Sequence, residues 1–207
     1  MEFSFGQVEK ALALTQNIRE DRRSAFANRL KNIQKAGFPN GINTGRGKAA
    51  RYNAGHVLQL GLLLELNQLG LSPERSITVI ESDEHTVAMA FSFAANDGPP
   101  KGKFNNPMLL YVDPAALTDL MLVTGEDRSV RSFFYGGLGQ FLETLKSLTV
   151  GGFQRLSIIN VSSLLWRLAS QASSITGCEV EDFYEETKVW ASPYIHNEPH
   201  YARNPKA

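Results

Sequence analysis

The stretch INTGRGKAARY, residues 42–52, sets Arg46, Lys48 and Arg51 among glycines. Cations on a glycine-rich segment suit phosphate, carried either by a nucleotide or by a nucleic acid. A nucleotide cradle needs G-x-x-x-x-G-K-[ST], because backbone amides must wrap the phosphates and a hydroxyl must reach magnesium. From Gly41 the chain reads GINTGRGKA, one residue too long, closed by Ala49 and preceded by no buried strand. No G-x-G-x-x-G lies between a strand and a helix either. Nucleic acid is the better match.

Other reactive side chains form no catalytic set. His196 and His200 in HNEPH stand at helical spacing, but Pro199 between them and Pro193 upstream argue against one helical face holding zinc. Cys178 lies in TGCEVED, where neighbouring acids should raise a thiol pKa and blunt a nucleophile. FYGGLGQF reads as glycines that allow tight packing, and Tyr135, Trp166 and Trp190 read as core or interface aromatics. The expectation is therefore no enzyme, no cofactor and no metal.

Charge points the same way. Lys+Arg and Asp+Glu number 21 each, a net charge of +0. Up to Arg51, however, Lys10, Arg19, Arg22, Arg23, Arg29, Lys31, Lys35, Arg46, Lys48 and Arg51 face only Glu2, Glu9, Glu20 and Asp21. The remainder is acidic, as EVEDFYEE shows. A basic head on an acidic body suits a polyanion at one end of the molecule. The single cysteine excludes an intrachain disulfide and fits a reducing compartment. Residues 1–20 lack the long apolar run of a signal peptide, and Leu58–Leu66 falls short of the roughly 20 residues of a membrane span. A soluble, cytoplasmic protein without membrane attachment is expected.

The elements that must position these residues follow from period and punctuation. FSFGQVEKALAL predicts an amphipathic helix capped by Ser4. Ser24 is expected to cap a second helix with the inward stripe Phe26, Leu30, Ile33, ended by Gly37 and Pro39. Its other face carries Asn28, Arg29, Lys31, Asn32 and Lys35 and no acid. NGINTGRGKAARY predicts two short strands joined at a tip over residues 44–47. Asn53 caps a leucine-rich helix of roughly residues 54–69, stopped by Gly70. Ser72, Pro73 and Glu74 then open a fourth helix. TVAMAFSF alternates large and small residues and predicts a strand. MLLYV and RLSIIN read as strands; PAALTDLML, GLGQFLETLKSL, VSSLLWRLASQA and CEVEDFYEETKVWA read as helices.

The order helix, helix, two-stranded wing, helix is that of a winged helix-turn-helix. In FSFGQV, AGFP, AARYNAGHVLQL and LGLSPERSI, residues 3–80 resemble the DNA-binding domain of the MerR family. The segment ALALTQNIREDR is longer than that pattern, so the first helix or the following turn must be extended. The resemblance implies that the second helix enters the major groove and the wing grips the backbone. Ser24, Asn28, Arg29, Lys31 and Asn32 would then meet base edges. Arg22, Arg23, Arg46, Lys48 and Arg51 would meet phosphates, and Tyr52 would brace the wing root.

The expected fold is α+β, with a winged helix-turn-helix at residues 1–82, a smaller α/β dimerisation or effector domain at 83–192, and a loose tail at 193–207. The expected function is a sequence-specific, double-stranded-DNA-binding transcriptional regulator. It would act as a homodimer, since one such head reads only a short half-site, and its effector ligand is unidentified. The alternatives are an architectural or recombination factor that bends DNA, and an α/β enzyme with a basic head.

Overall fold

A computed structural model describes residues 1–42, 49–112, 133–147 and 156–196. The chain is α+β, with helices predominating over two small antiparallel sheets. Its first half runs β1 (Phe3–Ser4), α1 (Phe5–Thr15), a 3-10 turn (Glu20–Arg22), α2 (Arg23–Lys35), β2 (Arg51–Tyr52), α3 (Ala54–Gln68) and α4 (Pro73–Ser82). The second half runs α5 (Glu84–Asn96), β3 (Met108–Val112), β4 (Phe133–Gly137), α6 (Leu138–Ser147), β5 (Ser157–Asn160), α7 (Val161–Thr176) and α8 (Val180–His196).

Four of the helix starts stand where polar side chains satisfy free amides. Ser4 Oγ accepts from the Gln7 N–H at 3.4 Å while Gln7 Oε1 accepts from the Ser4 N–H at 2.8 Å, a reciprocal capping box. Asn53 and His56 repeat the device on α3. Ser72 caps α4 through the Arg75 N–H with Pro73 in the first turn, and Asn160 caps α7 through the Ser163 N–H. The expected Ser24 cap is a correction. The helix begins at Arg23, running on from the 3-10 turn, so Ser24 already lies inside its first turn.

The expected strand over TVAMAFSF is also corrected: these residues lie in α5. Thr86 through Ser92 are all buried there. A helix enclosed on nearly every side has no polar stripe to reveal its period, so chance alternation of large and small residues reads as a strand. The first four residues of the expected tail are helical instead, because α8 continues through Pro193 to His196. A proline costs the helix one backbone hydrogen bond. Packing offsets it: Ala191 is fully buried, Trp190 lies edge-on to Phe91 with centroids 6.3 Å apart, and Tyr194 is hydrogen-bonded to Glu84. The expected helix PAALTDLML and residues 197–207 lie outside the described residues.

Strand β2, expected as one arm of a hairpin, has β1 as its partner among the described residues. β2 pairs antiparallel with β1, placing Phe3 opposite Tyr52 and Ser4 opposite Arg51. The tip at residues 44–47 lies outside the described residues. The second sheet has the order β4-β3-β5, antiparallel throughout. Leu110, Val112 and Ile159 point from it into the main core, while Leu109 and Tyr111 turn to the other face and meet Phe141 of α6.

That main core runs straight across the boundary expected near residue 82. One cluster joins Phe3, Leu12 and Leu63 to Phe91, Leu110, Leu165, Leu168 and Phe183. Helix α7 packs on α1, and α8 packs on both α3 and α5. Among the described residues no helix is long and apolar enough to cross a membrane.

Close approach of α8 to α3 requires Gly55, since a Cβ there would fall on the Trp190 indole. Gly55→Ala should cost about 1–3 kcal/mol by overpacking and lower the melting temperature by several degrees. Gly6→Ala, with no atom within 4 Å of the added Cβ, should leave it level or slightly higher. Calorimetry of both variants checks the pair.

Candidate nucleic-acid interface

Helix α2 buries Phe26, Leu30 and Ile33 and exposes Ser24, Asn28, Lys31, Asn32 and Lys35. At about 3.6 residues per turn those five lie opposite the buried stripe. No acid occurs on the helix itself. The exposed face is therefore a band of amides, a hydroxyl and two ammonium groups, all able to donate to an anion or a base edge.

This face reaches the start of α1, which follows β1 directly. Lys31 Nζ sits 5.9 Å from the centroid of the Phe5 ring, immediately after β1, so the flank of α2 carrying Lys31 lies against the start of α1. Arg51 is exposed on β2, 3.9 Å from the Glu2 carboxylate. Tyr52 beside it is only 2% exposed and lies edge-on to His56, with centroids 6.3 Å apart. Burial pushes its phenol pKa upward. The Tyr52 ring is thus part of the core beneath the strand.

The other arginines are drawn elsewhere. Arg23 makes a two-pronged bond to Glu9 on α1, with both N···O distances 2.9 Å and both side chains largely covered. The neighbouring carboxylate raises the guanidinium pKa. This geometry makes Arg23 a brace between α1 and α2. Arg29 leaves the α2 flank toward the end of α3 and donates to Asn67 Oδ1 at 3.0 Å. Asn67 in turn donates to the Leu71 carbonyl and Ser76 Oγ. Arg22 lies 3.6 Å from Asp21, which is also held by Arg19. Arg46 and Lys48 lie outside the described residues.

The structure thus brings together Ser24, Asn28, Lys31, Asn32 and Lys35, and places Arg51 on the β1–β2 sheet. It turns Arg23 and Arg29 to neighbouring helices. Sequence reasoning singled out neither Phe5 nor His56. Asn53 followed three residues later by His56 was a readable signal, since the third helical position is where a capping box places its acceptor. Glu9 as the partner of Arg23 had no local signal, because the two meet only once α1 and α2 fold together.

Among the described residues no group of three His, Cys, Asp or Glu side chains could hold a metal ion. Comparison with protein-family models, curated proteins and solved structures finds no match for this chain.

If Arg23 is a brace, Arg23→Gln should lower stability by about 1–2 kcal/mol and lengthen no helix. Chemical denaturation measures the loss. Glu9→Gln should cause a similar one, and the double variant should lose much less than the sum of the two.

Proposed function

We propose that this chain is a sequence-specific, duplex-DNA-binding transcriptional regulator that lays α2 in the major groove. The observation that carries the reading is the exposed face of α2, free of acids on the helix itself, with its Lys31 reaching the Phe5 ring at the start of α1. A helix with its donors on one side fits the major groove, where Asn meets adenine and Lys meets guanine. The order β1, α1, α2, β2, α3, α4 supports a MerR-like winged helix over residues 3–80.

Asn28 and Asn32 are the proposed readers, together with Lys31. Ser24, Lys35 and Arg51 would hold the phosphates that fix the register. Arg22 would contribute only by giving up Asp21, and the glycine-rich segment would add Arg46 and Lys48. A second copy is part of the proposal, because one helix covers only a half-site and a two-fold pair doubles the sequence read. The protein would work in the cytoplasm of a cell whose DNA lies there.

The two kinds of contact separate experimentally. Each phosphate contact contributes about −0.9 to the slope of log K against log salt. Lys35→Ala with Arg51→Ala should therefore flatten that slope by close to two contacts' worth and weaken every duplex alike. Asn28→Ala should instead cost about 1–3 kcal/mol of discrimination and leave the slope in place. Fluorescence anisotropy across a salt series distinguishes them. An unchanged slope in the first variant removes these residues from the phosphate set. Equal losses on cognate and random duplex remove Asn28 from the readers.

A further inference from the structure

The basic segment after α2 is bracketed by Asn40 and Asn53, and one side chain reaches both. His56 occupies the third position of α3. Its backbone N–H donates to Asn53 Oδ1 at 2.9 Å, and its Nδ1 accepts from the Asn53 N–H at 3.1 Å. The ring's other nitrogen is turned to the opposite end of the segment. The imidazole bonds the Asn40 backbone, and a Cβ on Gly41 would lie 3.9 Å from Nε2.

We propose that His56 is a proton-sensitive clasp, joining Asn40 to Asn53 only while its imidazole is neutral. A neutral ring has one acceptor and one donor. Here Nδ1 accepts from the Asn53 N–H, which leaves the Nε2–H as the donor available to the Asn40 backbone. Protonation would convert Nδ1 to a donor facing another donor, the Asn53 N–H. It would also put a positive charge at the start of α3, where the helix dipole opposes it. The Gln7 side chain does the same capping work on α1 and does not titrate. Histidine at this position thus adds a pH response that capping alone does not need.

The surroundings favour the neutral ring. Tyr52 of β2 lies edge-on to it, and Arg51 on the same strand is 3.9 Å from the Glu2 carboxylate, just before β1. One turn along α3, Gln59 donates to Glu84 of α5, which is also bonded by Tyr194 of α8. Burial lowers the His56 pKa, and the Asn40 backbone only partly restores it. The direction has a defined consequence. A histidine lowered in the fold stabilises fully above its unfolded value of about 6.5, and that contribution is lost as pH falls below it.

The clasp goes beyond the duplex-binding reading and can be tested without DNA. Nitrogen NMR of the full chain at pH 7.5 should show His56 protonated at Nε2 and bare at Nδ1. As the pH falls to 5, hydrogen-exchange protection of the Asn53 amide should drop severalfold in the wild type. In His56→Gln, which keeps an acceptor for that amide, it should hold. The melting temperature should diverge between the two in the same direction. A proton on Nδ1 at pH 7.5, or parallel pH profiles in the two proteins, would overturn the clasp. Should His56→Gln fail to fold, the wild-type tautomer and the loss of Asn53 protection on titration decide the matter.

Discussion

Helix α3 is buried on nearly every side, and the positions of the other helices depend on it. Val57, Leu58, Leu60, Leu62, Leu63, Leu64 and Leu66 are all in the core, and so are Gly55 and Gly61. The two glycines let foreign side chains close on the axis: Trp190 of α8 on Gly55, and Leu168 of α7 on Gly61. Burial on this scale is non-directional, but the bare patches give it a register. The same helix holds α2 through Arg29 and Asn67 at one end and meets the Asn40 backbone through His56 at the other. A head with its own core could swing relative to its body. This one is fastened into a common core, so a shift of α7 or α8 would be felt at α2 through packed side chains.

The electrostatics of the first half are more selective than its charge count. Among the described residues, Arg23 is held by Glu9 in a largely covered pair, whereas Arg29 with Asn67, and Arg19 and Arg22 with Asp21, are bonded at the surface. What remains on the exposed face of α2 is lysine and amide. Exposed pairs such as Arg51 with Glu2 are worth little in water and are readily exchanged for a phosphate. The covered, two-pronged Arg23–Glu9 pair is costlier to open. Surface exposure, rather than the number of cations, therefore decides which residues are free to meet a polyanion.

Much of the local structure was legible in the residues. Ser4, Asn53 and Ser72 each announced a helix start because an unsatisfied amide needs a short polar side chain nearby. The stripe Phe26, Leu30, Ile33 was legible because α2 has one wet side. Helix α5 was not, because enclosure removes the polar half of its pattern. Pro193 marked an end that tertiary packing overrides. The β1–β2 pairing could not be read from a two-residue strand, whose partner is set by the fold rather than by its own pattern. Of the candidate interface, the amide and lysine face was visible in sequence. The diversion of Arg23 and Arg29 was not, since each partner lies on another helix.

The account turns on whether the exposed face of α2 meets a double helix. Selection of duplexes from a random pool by the full chain, followed by amide NMR with the selected duplex, tests this most directly. The account predicts a shared motif arranged as two half-sites, with the largest perturbations at Asn28, Lys31, Asn32 and Arg51. Retention of no duplex, or perturbations centred on α8 with α2 untouched, would contradict it.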